Sequence, residues 1–162
     1  MAIIYCDMDG VLADFKTAAV RTTGMSINKW MNIPSSKEKW SLIKQKKDFW
    51  STLPWMPGGR QLWSYIKKHD PHILSAYVEE SFDPNCIPGK TAWLRRNAGM
   101  TNRSKINLVR RKEKKLFARK GKPSILIDDY EKNVREFIAN GGKGIHHTNT
   151  SKTIAELKRL GF

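Results

Sequence analysis

The chain has 162 residues, of which 30 are Lys or Arg and 15 are Asp or Glu, so its formal net charge at pH 7 is +15. The chain has two cysteines and no long apolar run, so we expect no disulfide framework, no secretory signal and no membrane-spanning helix. The length and the hydrophobic fraction are those of one globular domain. We therefore expect a soluble, cytoplasmic protein whose basic surface attracts phosphates, nucleotides or nucleic acid.

The first half of the chain predicts one strand followed by helices. The apolar, β-rich run at residues 2–6 indicates a buried strand. The segment at about residues 15–51 has a helical pattern, with a predicted N-cap at Ser35 and Glu38 three residues later, the spacing of a capping box. A break rich in Pro and Gly follows, and then an amphipathic helix at residues 62–69.

The second half alternates strands with helices. The predicted strands are PHILSA, KINLV, PSILIDD and KGIHH, and the predicted helices are GKTAWLRRNAG, residues 113–119, EKNVREFIANGG and a last helix that begins after Ser151. Such alternation is typical of an α/β fold, a Rossmann-like parallel sheet flanked by helices. We expect a single domain with a core at about residues 1–14 and 52–162 and a small helical cap, inserted after the first strand, at about residues 15–51.

Polar side chains end three of the predicted strands. Asp7 ends the first strand with Asp9 two residues on, Ser75 ends the second, and Asp128 and Asp129 end PSILIDD. Ligands of open parallel sheets bind at the carboxyl ends of the strands, so these side chains are predicted to form one site. Several carboxylates repel one another unless a cation joins them, and a hard divalent ion such as Mg2+ takes oxygen ligands.

This residue set has the chemistry of phosphate-ester hydrolysis. One aspartate can attack phosphorus, and a second can protonate the leaving oxygen and then activate water. A metal ion would offset the repulsion between the anionic nucleophile and the anionic substrate. Gly10 is predicted to let backbone amides approach the phosphate closely.

The motifs also carry a family resemblance. DMDGV, the Ser75 that follows HIL, a downstream lysine and LIDD resemble, in order and spacing, the four motifs of the haloacid dehalogenase superfamily of phosphohydrolases. DMDGVLADF, FWSTLPWMPG, CIPGKTAWL and ILIDDYEKN more narrowly resemble its 5'(3')-deoxyribonucleotidase-like branch, and the layout is similar to small phage-encoded members, which would place the protein in a host cytoplasm. The resemblance covers nearly the whole chain.

The resemblance implies roles for the acidic residues. Asp7 would be the nucleophile that becomes an aspartyl-phosphate, and Asp9 would be the general acid and base. Asp7 would also bind the Mg2+ ion, and Asp9 would bind it through its backbone carbonyl. Asp128 and Asp129 would complete the metal site. One of this pair would bind the metal directly and the other directly or through water, and the sequence does not select between them.

The resemblance also implies a phosphate-binding set. Ser75 would bind the phosphoryl group together with the amide of Ala76. The pattern K-x-x-[YF]-A of the small relatives selects Lys114 as the lysine of the site, and Lys90 matches a second lysine of the nucleotidase branch. The neighbouring candidates are Lys112 and Lys115.

The aromatic residues of the predicted cap have two interpretations. Some of them form the small core of the cap, and one or two stack on a nucleobase. Phe15 and Trp50 are predicted for stacking because they flank the active-site loop in the sequence.

A basic segment at residues 103–122 contains ten Lys or Arg and one acid, Glu113. Such a segment is usually a solvated surface, but it would also attract phosphate substrates or follow a nucleic-acid backbone. We predict a Mg2+-dependent phosphatase that hydrolyses nucleoside monophosphates, with deoxynucleotides favoured. The alternatives are a phosphatase that acts on nucleic-acid ends, and a nucleic-acid-binding protein with a vestigial site.

Overall fold

The computed structural model describes residues 2–119 and 121–162, so Met1 of the predicted core and Lys120 of the basic segment lie outside the described residues. Five parallel strands form one sheet in the order β3-β2-β1-β4-β5. They are β1 (Ile3–Cys6), β2 (His72–Ala76), β3 (Ile106–Val109), β4 (Ser124–Asp128) and β5 (Lys143–His146). The predicted α/β fold, a Rossmann-like parallel sheet flanked by helices, is confirmed.

Seven α-helices accompany the strands in the described residues. They are α1 (Phe15–Thr23), α2 (Ile27–Met31), α3 (Ser36–Gln45), α4 (Gly59–Ile66), α5 (Cys86–Ala98), α6 (Glu131–Ala139) and α7 (Thr150–Arg159). The predicted cap of α3 is confirmed, because Ser35 Oγ accepts a hydrogen bond from the Glu38 amide. Helix α7 begins earlier than predicted, because the Asn149 side chain accepts the Lys152 amide and so supplies the N-cap.

The described chain divides into two compact units. The first contains Met1–Ala13, Trp55–Ala76 and Asn102–Phe162, and therefore holds the whole sheet. The second contains Asp14–Pro54 and Tyr77–Thr101. The second unit thus contains the predicted cap together with the segment that carries α5.

The helix predicted between β3 and β4, at residues 113–119, is a 3₁₀ helix and begins two residues earlier. Residues Arg111–Arg119 form a 3₁₀ helix, called here the lysine segment. Residues three apart eclipse one another in a 3₁₀ helix, so Lys114 and Phe117 share one side, and both are buried. Phe117 packs with Tyr5 of the sheet in the hydrophobic core of the first unit. This contact holds the lysine segment in place and turns Lys114 inward.

The core of the second unit is aromatic. The ring of Phe15 packs against the rings of Trp30, Trp40, Phe49 and Trp50. Both cysteines, Cys6 and Cys86, are buried, and neither forms a disulfide. Among the described residues, no helix has the length and apolar character needed to span a membrane.

Candidate active site

The two central strands bring Asp7 and Asp128 side by side. Asp128 is the last residue of β4, and Asp7 directly follows β1. Ile127 pairs with Cys6, and the Asp7 amide donates a hydrogen bond of 2.9 Å to the Ile127 carbonyl. Asp7 is 5% exposed and Asp128 is fully buried, so both carboxylates have lost most of their water.

Lys114 joins these two carboxylates. Its Nζ lies 2.8 Å from Asp128 Oδ2 and 3.2 Å from Asp7 Oδ1. Burial disfavours the lysine charge, but the two carboxylates outweigh this cost and raise the pKa of Lys114 above its usual value. Lys112 is exposed and Lys115 is half-buried, so of the neighbouring lysines it is Lys114 that the structure brings into contact with the acidic residues.

The carboxylate of Asp7 has two distinct oxygens. Oδ1 accepts hydrogen bonds from the Met8 amide, at 2.8 Å, and from Lys114. Within residues 2–119 and 121–162, no donor contacts Oδ2. The geometry therefore leaves one oxygen of the predicted nucleophile available to a ligand.

Asp129 faces this pair from the loop that follows β4. One carboxylate oxygen from each of Asp7, Asp128 and Asp129 lies within 4.8 Å of the others. In the described part of the chain, no cationic side chain is paired with Asp129. Burial and the charge of Asp7 raise the pKa of Asp128 to about 6, and burial with the charges of Asp7 and Asp128 raises the pKa of Asp129 to about 7.

The donor set fits a hard cation. Three carboxylates that converge on one point repel one another, and the single positive charge of Lys114 does not balance them. Carboxylate oxygens are the preferred ligands of ions such as Mg2+. The acidic cluster can therefore hold a divalent cation at the carboxyl edge of the sheet.

Gly10 makes room for Asp129. Its φ is +81°, and a Cβ at this position would lie 2.1 Å from Asp129 Oδ2. The Gly10 amide donates to the Ala13 carbonyl at 2.9 Å. The glycine therefore admits a carboxylate to the site, and in this conformation its own amide is not directed to a ligand.

The remaining motif residues of the first unit lie at the same edge of the sheet. Ser75 is buried and Ala76 half-buried at the end of β2, the strand next to β1. Asp9 is half-buried in the loop that follows β1. Ser75, Ala76 and Asp9 are thus on elements adjacent to Asp7, as the alignment of strand ends predicts.

Three further predicted residues, Phe15, Trp50 and Lys90, belong to the second unit, where Trp50 contacts the other two. The rings of Phe15 and Trp50 stack at 5.4 Å with an interplanar angle of 21°, and Lys90 Nζ lies 5.3 Å from the centre of a Trp50 ring. Trp50 is 1% exposed, and its indole nitrogen donates to Asp83 at 2.7 Å. Trp50 is therefore part of the aromatic core in this structure, while Phe15 keeps some exposure.

Two residues that the sequence patterns did not select also contribute to the site. Asn133 Nδ2 donates to Asp128 Oδ2 at 3.1 Å, and Arg111 donates to Asn133 Oδ1 at 3.0 Å. The sequence feature that could have identified Asn133 is its position in the first turn of the helix that follows the two aspartates. An asparagine in a helix is common enough that this position alone carries no information about function.

Comparisons with known proteins identify the fold. No protein-family model matches the chain, and no curated protein matches it. A hydrolase from Streptococcus pneumoniae TIGR4 has 11% sequence identity and a TM-score of 0.54, with 96% of this chain and 97% of that chain covered. A putative beta-phosphoglucomutase from Bacteroides vulgatus has 16% identity and a TM-score of 0.55, with 96% and 80% covered.

A third solved structure, a hydrolase from Pseudomonas syringae, has 16% identity and a TM-score of 0.55, with 99% of this chain and 90% of that chain covered. At these identities the comparisons establish a shared fold and not a shared reaction. The chain is thus similar in fold to two hydrolases and a putative beta-phosphoglucomutase over nearly its whole length.

Proposed function

We propose that this protein is a Mg2+-dependent phosphomonoesterase of the haloacid dehalogenase type. The observation that carries the proposal is the convergence of Asp7, Asp128 and Asp129 on one point beside the buried Lys114. The fold similarity to two hydrolases and a putative beta-phosphoglucomutase is consistent with it. Mg2+ would be held by the acidic cluster and would neutralise charge on the phosphoryl group.

The reaction proceeds in two steps. Asp7 Oδ2 attacks phosphorus, the bond between phosphorus and the leaving oxygen breaks, and Asp9 donates a proton to that oxygen. Water then attacks the aspartyl-phosphate, and Asp9 accepts the proton of that water. Inorganic phosphate leaves, and the carboxylate of Asp7 is restored.

The other site residues bind and orient. Lys114 holds Asp7 Oδ1 and so directs Oδ2 toward the substrate. Ser75 and the amide of Ala76 bind the phosphoryl oxygens. Asp129 would bind the metal ion directly, because its carboxylate pairs with no cation among the described side chains, whereas Asp128 is engaged by Lys114 and Asn133.

The favoured substrate is a nucleoside monophosphate. The deoxyribonucleotidase-like motifs support this assignment, and the excess of basic residues favours anionic ligands. In the second unit, Phe15 is the better candidate for contact with a base, because Trp50 is almost completely buried. Lys90 is fully buried next to Trp50, and its proposed role is to help bind the phosphoryl group.

The exposed part of the basic segment supports a second candidate, a phosphatase that acts on nucleic-acid ends. Its exposed basic residues in the described chain are Arg103, Arg110, Lys112, Arg119 and Lys122. In the same segment, Lys105 pairs with Asp70 and Arg111 with Glu136. The exposed cations can follow a phosphodiester backbone, with the strong salt dependence of such contacts.

The test is phosphate release by the purified protein, with Mg2+ and with EDTA. The substrates are ribo- and deoxyribonucleoside monophosphates beside oligonucleotides that carry a 5'- or a 3'-phosphate. We expect Mg2+-dependent turnover of the mononucleotides. Turnover of oligonucleotides alone would favour the second candidate, and tight nucleic-acid binding with no turnover of any ester would favour a binding protein with a vestigial site.

A further inference from the structure

A chain of three polar contacts runs from the acidic cluster to the helix behind it. Asp128 Oδ2 accepts from Asn133 Nδ2 at 3.1 Å, Asn133 Oδ1 accepts from Arg111 Nη1 at 3.0 Å, and the same Nη1 lies 3.2 Å from Glu136 Oε2. Asn133 is 4% exposed. The contacts join the lysine segment, which carries Arg111 and Lys114, to α6, which carries Asn133 and Glu136.

The amide of Asn133 suits this place because its two ends differ. A carboxylate accepts hydrogen bonds only, and a guanidinium donates only, so an anion and a cation can share one uncharged side chain only if that side chain both donates and accepts. An aspartate would retain the contact to Arg111 and lose the donor to Asp128. An aliphatic residue would lose both contacts.

The same contacts determine how Asp128 holds Lys114. Asp128 Oδ1 accepts from the Tyr130 amide at 2.9 Å, so each oxygen of the carboxylate has a protein donor. With Asn133 and Tyr130 in place, the carboxylate is fixed in orientation and presents Oδ2 to Lys114 at 2.8 Å. Lys114 in turn contacts Oδ1 of the proposed nucleophile.

We propose that Asn133, held by Arg111, is a positioning residue that orients Asp128 and thereby keeps Lys114 in contact with Asp7. The kinetic test of this inference rests on the proposed phosphatase activity. A second test measures the accessibility of Lys114 and needs no activity. Neither residue contacts the substrate in this scheme. Their removal should lower kcat by about 10- to 100-fold, the usual range for residues that orient a ligand-bearing carboxylate.

The chain provides a matched control. Asn140 directly follows α6 and also bonds to the lysine segment, since its Nδ2 donates to the Lys115 carbonyl at 2.9 Å. Asn140→Ala therefore removes one side-chain hydrogen bond between the same two parts of the fold without touching Asp128. A difference between Asn133→Ala and Asn140→Ala reports on the acidic cluster and not on the docking of the segment.

The first arm measures Lys114 directly. The parent, Asn133→Ala, Asn133→Asp and Asn140→Ala proteins are treated with limiting acetic anhydride, and modification of Lys114 is followed by mass spectrometry, with exposed Lys112 as the internal reference. We expect slow modification of Lys114 in the parent and in Asn140→Ala, and modification at least several-fold faster in both Asn133 variants. Equal protection of Lys114 in all four proteins overturns the inference, whether or not the parent hydrolyses phosphate esters.

The second arm measures kcat and KM in the same variants, after thermal unfolding has shown that each is folded. Asn133→Asp retains the acceptor for Arg111, and it replaces Asn133→Ala in the comparison if Asn133→Ala does not fold. We expect kcat to fall in both Asn133 variants and to change little in Asn140→Ala. In a Lys114→Met background, Asn133→Ala should lower kcat no further, because the effects of substitutions in residues that act as a unit are not additive. The positioning role of Asn133 is overturned if the losses in kcat are fully additive in the double variant, or if Asn133→Ala and Asn140→Ala have equal kcat values.

Discussion

Gly10 lies directly against the carboxylate of Asp129, so that a Cβ at residue 10 would stand 2.1 Å from Asp129 Oδ2. The loop after β1 and the loop after β4 therefore approach each other as closely as a residue without a side chain allows. This approach brings Asp129 to the carboxylates of Asp7 and Asp128, at the ends of β1 and β4. The acidic cluster therefore requires the glycine of the DMDG motif, because a side chain at residue 10 would displace Asp129.

We expect Gly10→Ala to disrupt the site beyond the cost of its backbone conformation. An alanine at positive φ costs about 1–2 kcal/mol, and here the added methyl group must also displace Asp129. Mg2+ affinity, measured by calorimetry, should fall by at least about 10-fold, as expected when a ligating carboxylate is moved. Gly24→Ala is the matched control, because Gly24 has a φ of +70° and a Cβ there would have no neighbouring atom within 4 Å; a similar loss of Mg2+ affinity in that control would contradict the steric argument.

Asp7→Asn should remove turnover while the protein stays folded. The amide keeps the size of the side chain but is a far poorer nucleophile, so kcat should fall by at least about 10³-fold, as for other nucleophile replacements. Circular dichroism and thermal unfolding would establish that the fold persists. Asp48→Asn, at an exposed surface site, is the control, and hydrolysis by Asp7→Asn at the parental rate would show that another group attacks phosphorus.

Asp9→Asn should also be strongly impaired, for a different reason. The amide cannot protonate the leaving oxygen or accept a proton from water, and loss of a general acid and base costs about 10²–10⁴-fold. An ester with a good leaving group, such as a nitrophenyl phosphate, needs less protonation. In Asp9→Asn, the rate of aspartyl-phosphate formation should therefore fall less with the nitrophenyl ester than with a nucleotide. An equal fall with both esters would argue against Asp9 as the general acid.

Lys114→Met should destabilise the metal-free protein at neutral pH. The methionine fills a similar volume but leaves Asp7 and Asp128 buried without their cation, and breaking a buried ion pair in this way costs about 3–5 kcal/mol. The free energy of unfolding in urea, with EDTA present, would measure the loss. Lys112→Met removes an exposed charge from the same segment and should change stability by less than about 0.5 kcal/mol.

Asp129→Asn should have the opposite effect on stability. Because the native pKa of Asp129 is raised to about 7 from its usual 3.8, the native state binds the proton more tightly than the unfolded state does. The contribution of this group to stability is therefore present at low pH and is lost as the pH rises through about 7. Without metal, Asp129→Asn should be more stable than the parent at pH 8 by on the order of 1–2 kcal/mol, with little difference at pH 4.

The control for this prediction is the same titration in the presence of Mg2+. A bound cation removes the reason for protonation and stabilises the parent by mass action, so the advantage of Asp129→Asn should shrink or reverse. Urea unfolding at several pH values, with Mg2+ and with EDTA, measures both effects. A parent protein whose metal-free stability is constant from pH 5 to pH 8 would contradict the raised pKa.

Local patterns in the sequence were sufficient for features that depend on neighbouring residues. The cap at Ser35 could be predicted because a capping box is formed within one turn of helix. The placement of Asp7, Ser75 and Asp128 at one edge of the sheet could be predicted because parallel strands end at a common edge. Both inferences needed only periodicity and the general geometry of a sheet.

Features that depend on packing between distant segments could not be predicted in this way. The lysine segment has the composition of an α-helix, yet it is a 3₁₀ helix whose buried side holds Phe117 against Tyr5 and Lys114 against the aspartates. The position of Trp50 in the sequence predicted stacking on a nucleobase, but in the structure Trp50 is buried in the aromatic core of the second unit. Neither outcome is encoded in the spacing of nearby residues.

The sequence by itself determined the class of the sheet and the acidic and hydroxyl residues at its carboxyl edge, because strand periodicity and strand-end chemistry are local properties. Only the tertiary structure brought Lys114 into contact with Asp7 and Asp128, placed Asp129 against Gly10 and connected Asp128 to Arg111 through Asn133. These choices follow from which side chains become buried together. Burial makes an unpaired charge costly, so the folded arrangement decides which of several equivalent residues pairs with the carboxylates.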